Sequence, residues 1–240
     1  MNRILFEPEE ICGRRVRFGG DRARHVAEIL NGTPGMPLKT GVVGGLAGVS
    51  KILSVEKTGD GWIVEAEVSH TEETPAPWCD LILAPPRPRA LKRLLPQLAA
   101  LGAGRIVLCG AKKVEKDFWG ATLLKEENFR PLLVEGLVQA GVCIPPEIML
   151  RRNFRKFVAE ELDTLFPSRA RILAHPGGSK TAARPSGRPL VAIGPEGGWT
   201  DSEVELLESK GFARFSLGPR ILKTETAAIA LLAVLSPTDS

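Results

Sequence analysis

From Asp80 to the end of the chain, short apolar runs alternate with helical stretches, and this rhythm limits the possible folds more than any other feature. Leu81–Ala84, Arg105–Cys109, Ile148–Leu150, Arg171–Ala174, Pro189–Ile193 and Ala213–Leu217 read as strands. Ala90–Leu101, Glu127–Ala140, Asn153–Leu165, Thr200–Lys210 and Thr224–Leu235 read as helices. Strands alternating with helices imply an α/β domain whose parallel sheet is covered on both faces. In such sheets ligands sit beyond the carboxyl ends of the strands. The loops after Ala174, Ile193 and Leu217 are therefore where chemistry is expected.

Those loops read His175-Pro176-Gly177-Gly178-Ser179, Gly194-Pro195-Glu196-Gly197-Gly198 and Gly218-Pro219-Arg220-Ile221-Leu222. Glycine lets backbone amides and carbonyls approach a flat ligand closely, and proline fixes the turn. They could form one crevice, or be tight turns without a ligand. Familiar nucleotide and hydrolase patterns fail: there is no G-x-G-x-x-G and no G-x-S-x-G, and Gly177-Gly178-Ser179-Lys180-Thr181 lacks the upstream glycine of a phosphate loop. His25, His70 and His175 have no metal-ligand spacing, so no metal is expected. Thr200 with Glu203 reads as a capping box and Thr224 as the cap of the last helix. Glu196, between a proline and two glycines, has no such local purpose.

The first 70 residues differ. A helix capped by Asp21 runs to Asn31, and Leu38–Val43, Val49–Val55 and Trp62–Val68 read as strands, the last two joined by the turn at Thr58–Gly61. A small barrel over 1–70, a linker over 71–79 and a sheet domain over 80–240 are expected. The net charge is +4, too small to prove a nucleic-acid partner. Residues 1–73 hold 9 basic and 11 acidic side chains, and residues 74–240 hold 23 and 17. Two basic clusters, Arg14, Arg15, Arg17, Arg22 and Arg24, and Arg87 with Arg89, are compatible with phosphate contacts or with solvated surface. Cys12, Cys79, Cys109 and Cys143 lie far apart and read as buried, reduced thiols of a cytoplasmic protein. No apolar run is long enough to span a membrane, and no secretion signal is read.

Ile193-Gly194-Pro195-Glu196-Gly197-Gly198, followed by Leu217-Gly218-Pro219-Arg220-Ile221-Leu222-Lys223-Thr224-Glu225-Thr226-Ala227, resembles the signature pair of the 16S ribosomal RNA uracil-N3 methyltransferases. These belong to the SPOUT superfamily. The resemblance covers nearly the whole chain: Arg24-His25-Val26, Leu101-Gly102, Gln139, Pro146-Glu147-Ile148 and His175-Pro176 are also similar to family positions. It implies a SPOUT α/β domain with a deep trefoil knot, preceded by a PUA-like β-barrel. It also implies a homodimer acting on ribosomal RNA or the small ribosomal subunit. The knot loops would hold S-adenosylmethionine in a bent shape through Leu173, His175, Pro176, Ile193, Gly194, Pro195, Glu196, Gly197, Gly198, Leu217, Gly218, Ile221, Leu222 and Thr226.

Methylating uracil N3 needs the base as an anion, which a nearby cation stabilises; Arg220 is the candidate. RNA phosphates would meet Arg14, Arg15, Arg17, Arg22, Arg24, Arg87 and Arg89. The last helix is apolar around most of its circumference, which suits a dimer interface or burial within one subunit. The chain departs from the family pattern at Ala100, Val138, Val142 and Lys223. Methylation of another RNA site and a non-catalytic RNA-binding or ribosome-assembly role therefore stand beside methylation of a uridine in 16S ribosomal RNA.

Overall fold

A computed structural model describes residues 3–167, 169–179 and 187–237. Lys180 and Thr181, of the stretch compared with a phosphate loop, lie outside them. The chain divides into two units, residues 1–76 with 137–145, and residues 77–136 with 146–240. The expected linker differs from this division at both ends. Thr71 and Glu72 still lie in a strand, and Cys79 opens the next one. The segment 137–145 groups with the first unit although it lies inside the stretch assigned to the sheet domain.

The first unit is built on a six-stranded sheet. Its strands are β1 (Ile4–Phe6), β2 (Ile11–Cys12), β3 (Arg15–Phe18), β4 (Pro37–Val42), β5 (Ala47–Thr58) and β6 (Gly61–Glu72), in the order β1-β4-β5-β6-β3-β2. The β5–β6 hairpin is longer than the sequence suggests: its ladder runs from Ala47 with Glu72 to Thr58 with Gly61, through register shifts between Ala47 and Gly48 and between Ile52 and Ser54. In β3, Val16 and Phe18 face inward while Arg15 and Arg17 face out, the two-residue alternation of a half-buried strand. Val16 and Phe18 join Phe6, Val26, Ile52 and Val64 in the core.

The helix at 20–29 starts before the expected Asp21 cap. Gly19 is its N-cap, and the Asp21 carboxylate is bound to Arg24 at 2.9 Å instead. Asn31 ends the turn with φ +48°. Three of the four cysteines are buried, but Cys12, expected inside, is exposed at the end of the two-residue strand β2.

The second unit holds the parallel sheet. Its strands are β7 (Cys79–Leu83), β8 (Ala103–Cys109), β9 (Glu147–Arg151), β10 (Arg171–Ser179), β11 (Leu190–Ile193) and β12 (Ala213–Phe215), in the order β12-β10-β11-β7-β8-β9. Every pairing is parallel. β7 and β11 are buried along their whole length, as a sheet covered on both faces requires. The helices at 154–165 and Asp201–Ser209 share one core with the sheet through Phe154, Phe157, Leu162, Val204 and Leu207. Pro88–Ala100 packs on β8, and Thr224–Leu235 packs on β11 and on Pro88–Ala100. Among the described residues no helix is long and apolar enough to cross a membrane.

At the amino ends of these strands lies Asp80, completely buried. Its carboxylate accepts the Arg105 backbone N–H at 2.8 Å and is bound directly by the Arg188 guanidinium. Arg105 and Arg169 approach at 3.8 and 3.6 Å. Removing one member of a buried charge cluster leaves the others uncompensated. Asp80→Asn keeps the shape and deletes the charge. It is expected to destabilise the protein by roughly 3 kcal/mol, read as a lower urea midpoint at unchanged slope.

Candidate active site

The carboxyl ends of β10, β11 and β12 enclose a cavity of about 270 Å³. Each of the three loops is shaped by a different local constraint. On β10, Phe215 of β12 is the register partner of both Ala174 and Ser179, so the four residues between them bulge out. Pro176 cannot donate to a ladder, and the Gly177 N–H turns to His175 Nδ1 at 3.1 Å. Gly178 passes so close to β12 that a Cβ there would lie 2.7 Å from the Phe215 backbone nitrogen.

After β11, a Cβ on Gly194 would meet the Trp199 indole at 3.0 Å. The Gly194 carbonyl accepts the Thr224 hydroxyl at 3.1 Å, fastening this loop to the last helix. Thr224 is thus buried inside the helix rather than capping it, and Lys223 holds the N-cap position. Beyond β12, the Gly218 N–H donates to Ser216 Oγ at 3.1 Å. The capping box at Thr200 forms as read, with the Glu203 carboxylate accepting the Thr200 N–H at 2.8 Å. Glu203 also accepts the Lys112 N–H at 2.7 Å, which ties that helix to the loop after β8.

Most of the sequence-derived residues meet at this cavity. His175 and Pro176 form one side, and Ile193, Gly194, Pro195, Glu196 and Gly198 another. Leu217, Gly218, Arg220, Ile221 and Leu222 form the third. Three expected residues do not line it. Leu173 is fully buried in β10, paired with Ala192. Gly197 faces Lys113, whose Nζ donates to the Gly197 carbonyl at 2.7 Å. Thr226 is exposed on the last helix, off the cavity wall.

Sequence reasoning missed Ala174, Ser216 and Trp199, each beside a residue it did choose, and Phe215, two residues before Leu217. It also missed Thr224, Ala227 and Leu231 as lining residues. Their spacing of three and four puts them on one helical face, a signal that was available. A second cavity, about 40 Å³, shares Pro195 and Glu196 with the first. Arg87 stands there, its Nε 3.2 Å from Glu115 and 3.7 Å from Glu196. Arg89 lies one residue into the following helix, exposed.

The arginines of the first unit do not act as one group. Arg14 and Arg15 pair with Glu67 and Glu65 at 3.4 and 3.2 Å and stay largely exposed. Arg17 is exposed on the same strand. Arg22 is a structural residue. It donates to the Leu5 carbonyl and to Glu10, both at 3.0 Å, and lies over the rings of Phe6 and Phe18. With those bonds made, a phosphate would have to compete with Glu10 for it.

Comparison with known proteins identifies the architecture. Residues 72–236 match the model of an RNA methyltransferase domain. This chain belongs to that family. A Treponema pallidum protein named ribosomal RNA small subunit methyltransferase E is 32% identical over 98% of this chain and 90% of its own. The crystal structure of a Neisseria gonorrhoeae protein of the same name, bound to S-adenosylmethionine, matches 98% of this chain and 96% of that one. The match has a TM-score of 0.75 at 23% identity. A Legionella pneumophila structure with bound S-adenosylmethionine also gives 0.75, at 24% identity. These likenesses establish for this family member a mixed α/β fold with two sheets.

The hydrogen bond from Arg22 holds the Glu10 carboxyl below its usual value. A carboxylate with a lowered folded-state pKa contributes stability that is full above its ordinary value and is lost as pH falls through the lowered one. Glu10→Gln, which leaves Arg22 on Leu5, Phe6 and Phe18, is expected to remove this part of the acid limb, so that the stability gap between mutant and unaltered protein narrows below the ordinary carboxylate range. Denaturation midpoints measured from pH 7 down to pH 3 test this.

Proposed function

We propose that this protein transfers a methyl group from S-adenosylmethionine to N3 of a uridine in small-subunit ribosomal RNA. The observation that carries the reading is the cavity lined by three strand-end loops, in a chain of the RNA methyltransferase family. At about 270 Å³ it is close to the smallest pockets that hold small molecules, roughly 300 Å³. Its walls suit the cofactor. Ile193, Phe215 and Leu231 are apolar, and loop backbone is left accessible where glycines replace side chains. S-adenosylmethionine supplies the methyl as a good electrophile on a sulfonium centre. The chain's own residues hold the acceptor in line and favour its anionic form.

Arg220 is the cation of the cavity wall, exposed toward solvent from which RNA arrives. It stabilises charge on the base oxygens as N3 loses its proton. Glu196, between the two cavities, is held near Arg87 rather than by its own loop. Arg14, Arg15 and Arg17 offer phosphate contacts on the first unit, which we read as a PUA-like RNA-binding module. For the second unit, the placement of β11 between β7 and β10 supports the trefoil knot of SPOUT enzymes. The exposed Ile229 and Val234 support a homodimer built on the last helix.

Incubation of 16S ribosomal RNA with the protein and S-adenosylmethionine, followed by nucleoside mass spectrometry, tests the function. N3-methyluridine is the expected product; a different methylated nucleoside, or none, refutes the assignment. Arg220→Ala is expected to lower kcat by about 10²-fold while RNA and cofactor affinity change little. Light scattering at micromolar concentration is expected to give a dimer mass, and Val234→Glu a monomer; a monomeric unaltered protein would refute the interface.

A further inference from the structure

We infer that the second unit carries its own track for RNA phosphates, at the carboxyl ends of β8 and β9. This rests on the reading of the protein as an RNA methyltransferase. Lys112, Lys113 and Lys116 lie in the loop after β8, and Arg152, Arg155 and Lys156 lie just after β9. All six are exposed. The two strand ends touch. The Gly110 N–H donates to the Arg151 carbonyl at 2.8 Å, and a Cβ on Gly110 would fall 2.1 Å from the Arg152 carbonyl oxygen and 3.1 Å from the Trp119 ring. The two segments that carry the six cations are therefore adjacent.

Some of their charged ends are held in place by neutral groups. Arg152 lies over the Trp119 indole, 5.8 Å from the ring centre, and donates to the Trp119 carbonyl at 3.3 Å. Arg155 donates to the Ser202 hydroxyl at 3.2 Å, and Lys113 to the Gly197 carbonyl. Such contacts orient a cation without neutralising it. Among the described residues, none of the six is within ion-pair distance of a carboxylate. The acidic residues around them are mostly engaged. Glu115 faces Arg87, Glu161 faces Arg151, and Glu203 accepts the backbone N–H groups of Lys112 and Thr200. Asp117 is the remaining carboxylate of the β8 loop.

The contrast with the first unit decides the partition. There Arg14, Arg15, Arg22 and Arg24 each face a carboxylate of the same unit, so a phosphate must compete for them. At the six described cations of the track no carboxylate has to leave. Because all six strands run parallel, the track opens on the same edge of the sheet as the cofactor cavity. From β11 to β9 is three strand spacings, about 14 Å. A target nucleotide at the cavity therefore places its flanking backbone within reach of the track.

The test compares the unaltered protein with a Lys112→Ala/Lys116→Ala/Lys156→Ala variant and a Lys→Arg variant at the same three positions. Binding to a 16S ribosomal RNA transcript is followed across a salt series, with S-adenosylmethionine affinity measured by calorimetry on each protein. The alanine variant is expected to keep cofactor affinity and to lose RNA affinity. Its salt dependence should become shallower by about 0.7–0.9 slope units per lost contact, and the arginine variant should restore both. Unchanged RNA affinity and slope in the alanine variant, with the unaltered protein binding RNA, overturn the track but leave the methyltransferase reading standing. Absence of salt-dependent RNA binding by the unaltered protein overturns both.

Discussion

One buried carboxylate organises the catalytic sheet. Asp80 belongs to β7, accepts the backbone N–H of Arg105 in β8, and draws in Arg169 and Arg188, each two residues ahead of a strand, β10 and β11. Four of six strands thus have their amino ends tied to a single charge. Polar clusters of this kind are unforgiving in a low-dielectric interior, since any misregister strands a charge. With the register set there, the carboxyl ends carry the loops that line the cavity.

Those loops show how far the sequence could be read. The order of strands and helices, and the sites of the three glycine-proline loops, follow from periodicity and turn chemistry, which are local. The depth of each residue is not local. Leu173 sits in the strand next to the first loop and is consumed by the core, because alternate strand residues face opposite ways. Gly197 lies in the middle of its motif but turns its open side to Lys113. Thr224 looked like a cap because threonines usually cap. The helix begins one residue earlier, and the hydroxyl bonds a loop carbonyl thirty residues away.

The first unit illustrates the other limit, the pairing of charges. Five arginines within eleven residues look like a basic patch. Folding brings Glu65 and Glu67 of β6 opposite Arg15 and Arg14, and a short turn at Pro8–Glu10 delivers Glu10 to Arg22. Strand register decides these encounters, and the run of arginines carries no information about it. Conversely, the six cations after β8 and β9 are split between two segments some forty residues apart, so no window along the chain displays them together.

The cysteines carry a practical corollary. Burial pushes the thiols of Cys79 and Cys109 up to about 12 and raises that of Cys143 as well. The thiolate is the reactive form, so these three are nearly inert toward maleimides and mild oxidants while the protein stays folded. Cys12, at the surface of the first unit, is the accessible one. A single fluorophore can therefore be attached there without mutagenesis, far along the chain from the strand-end loops that line the cavity, giving an optical reporter of the first unit in the unaltered sequence.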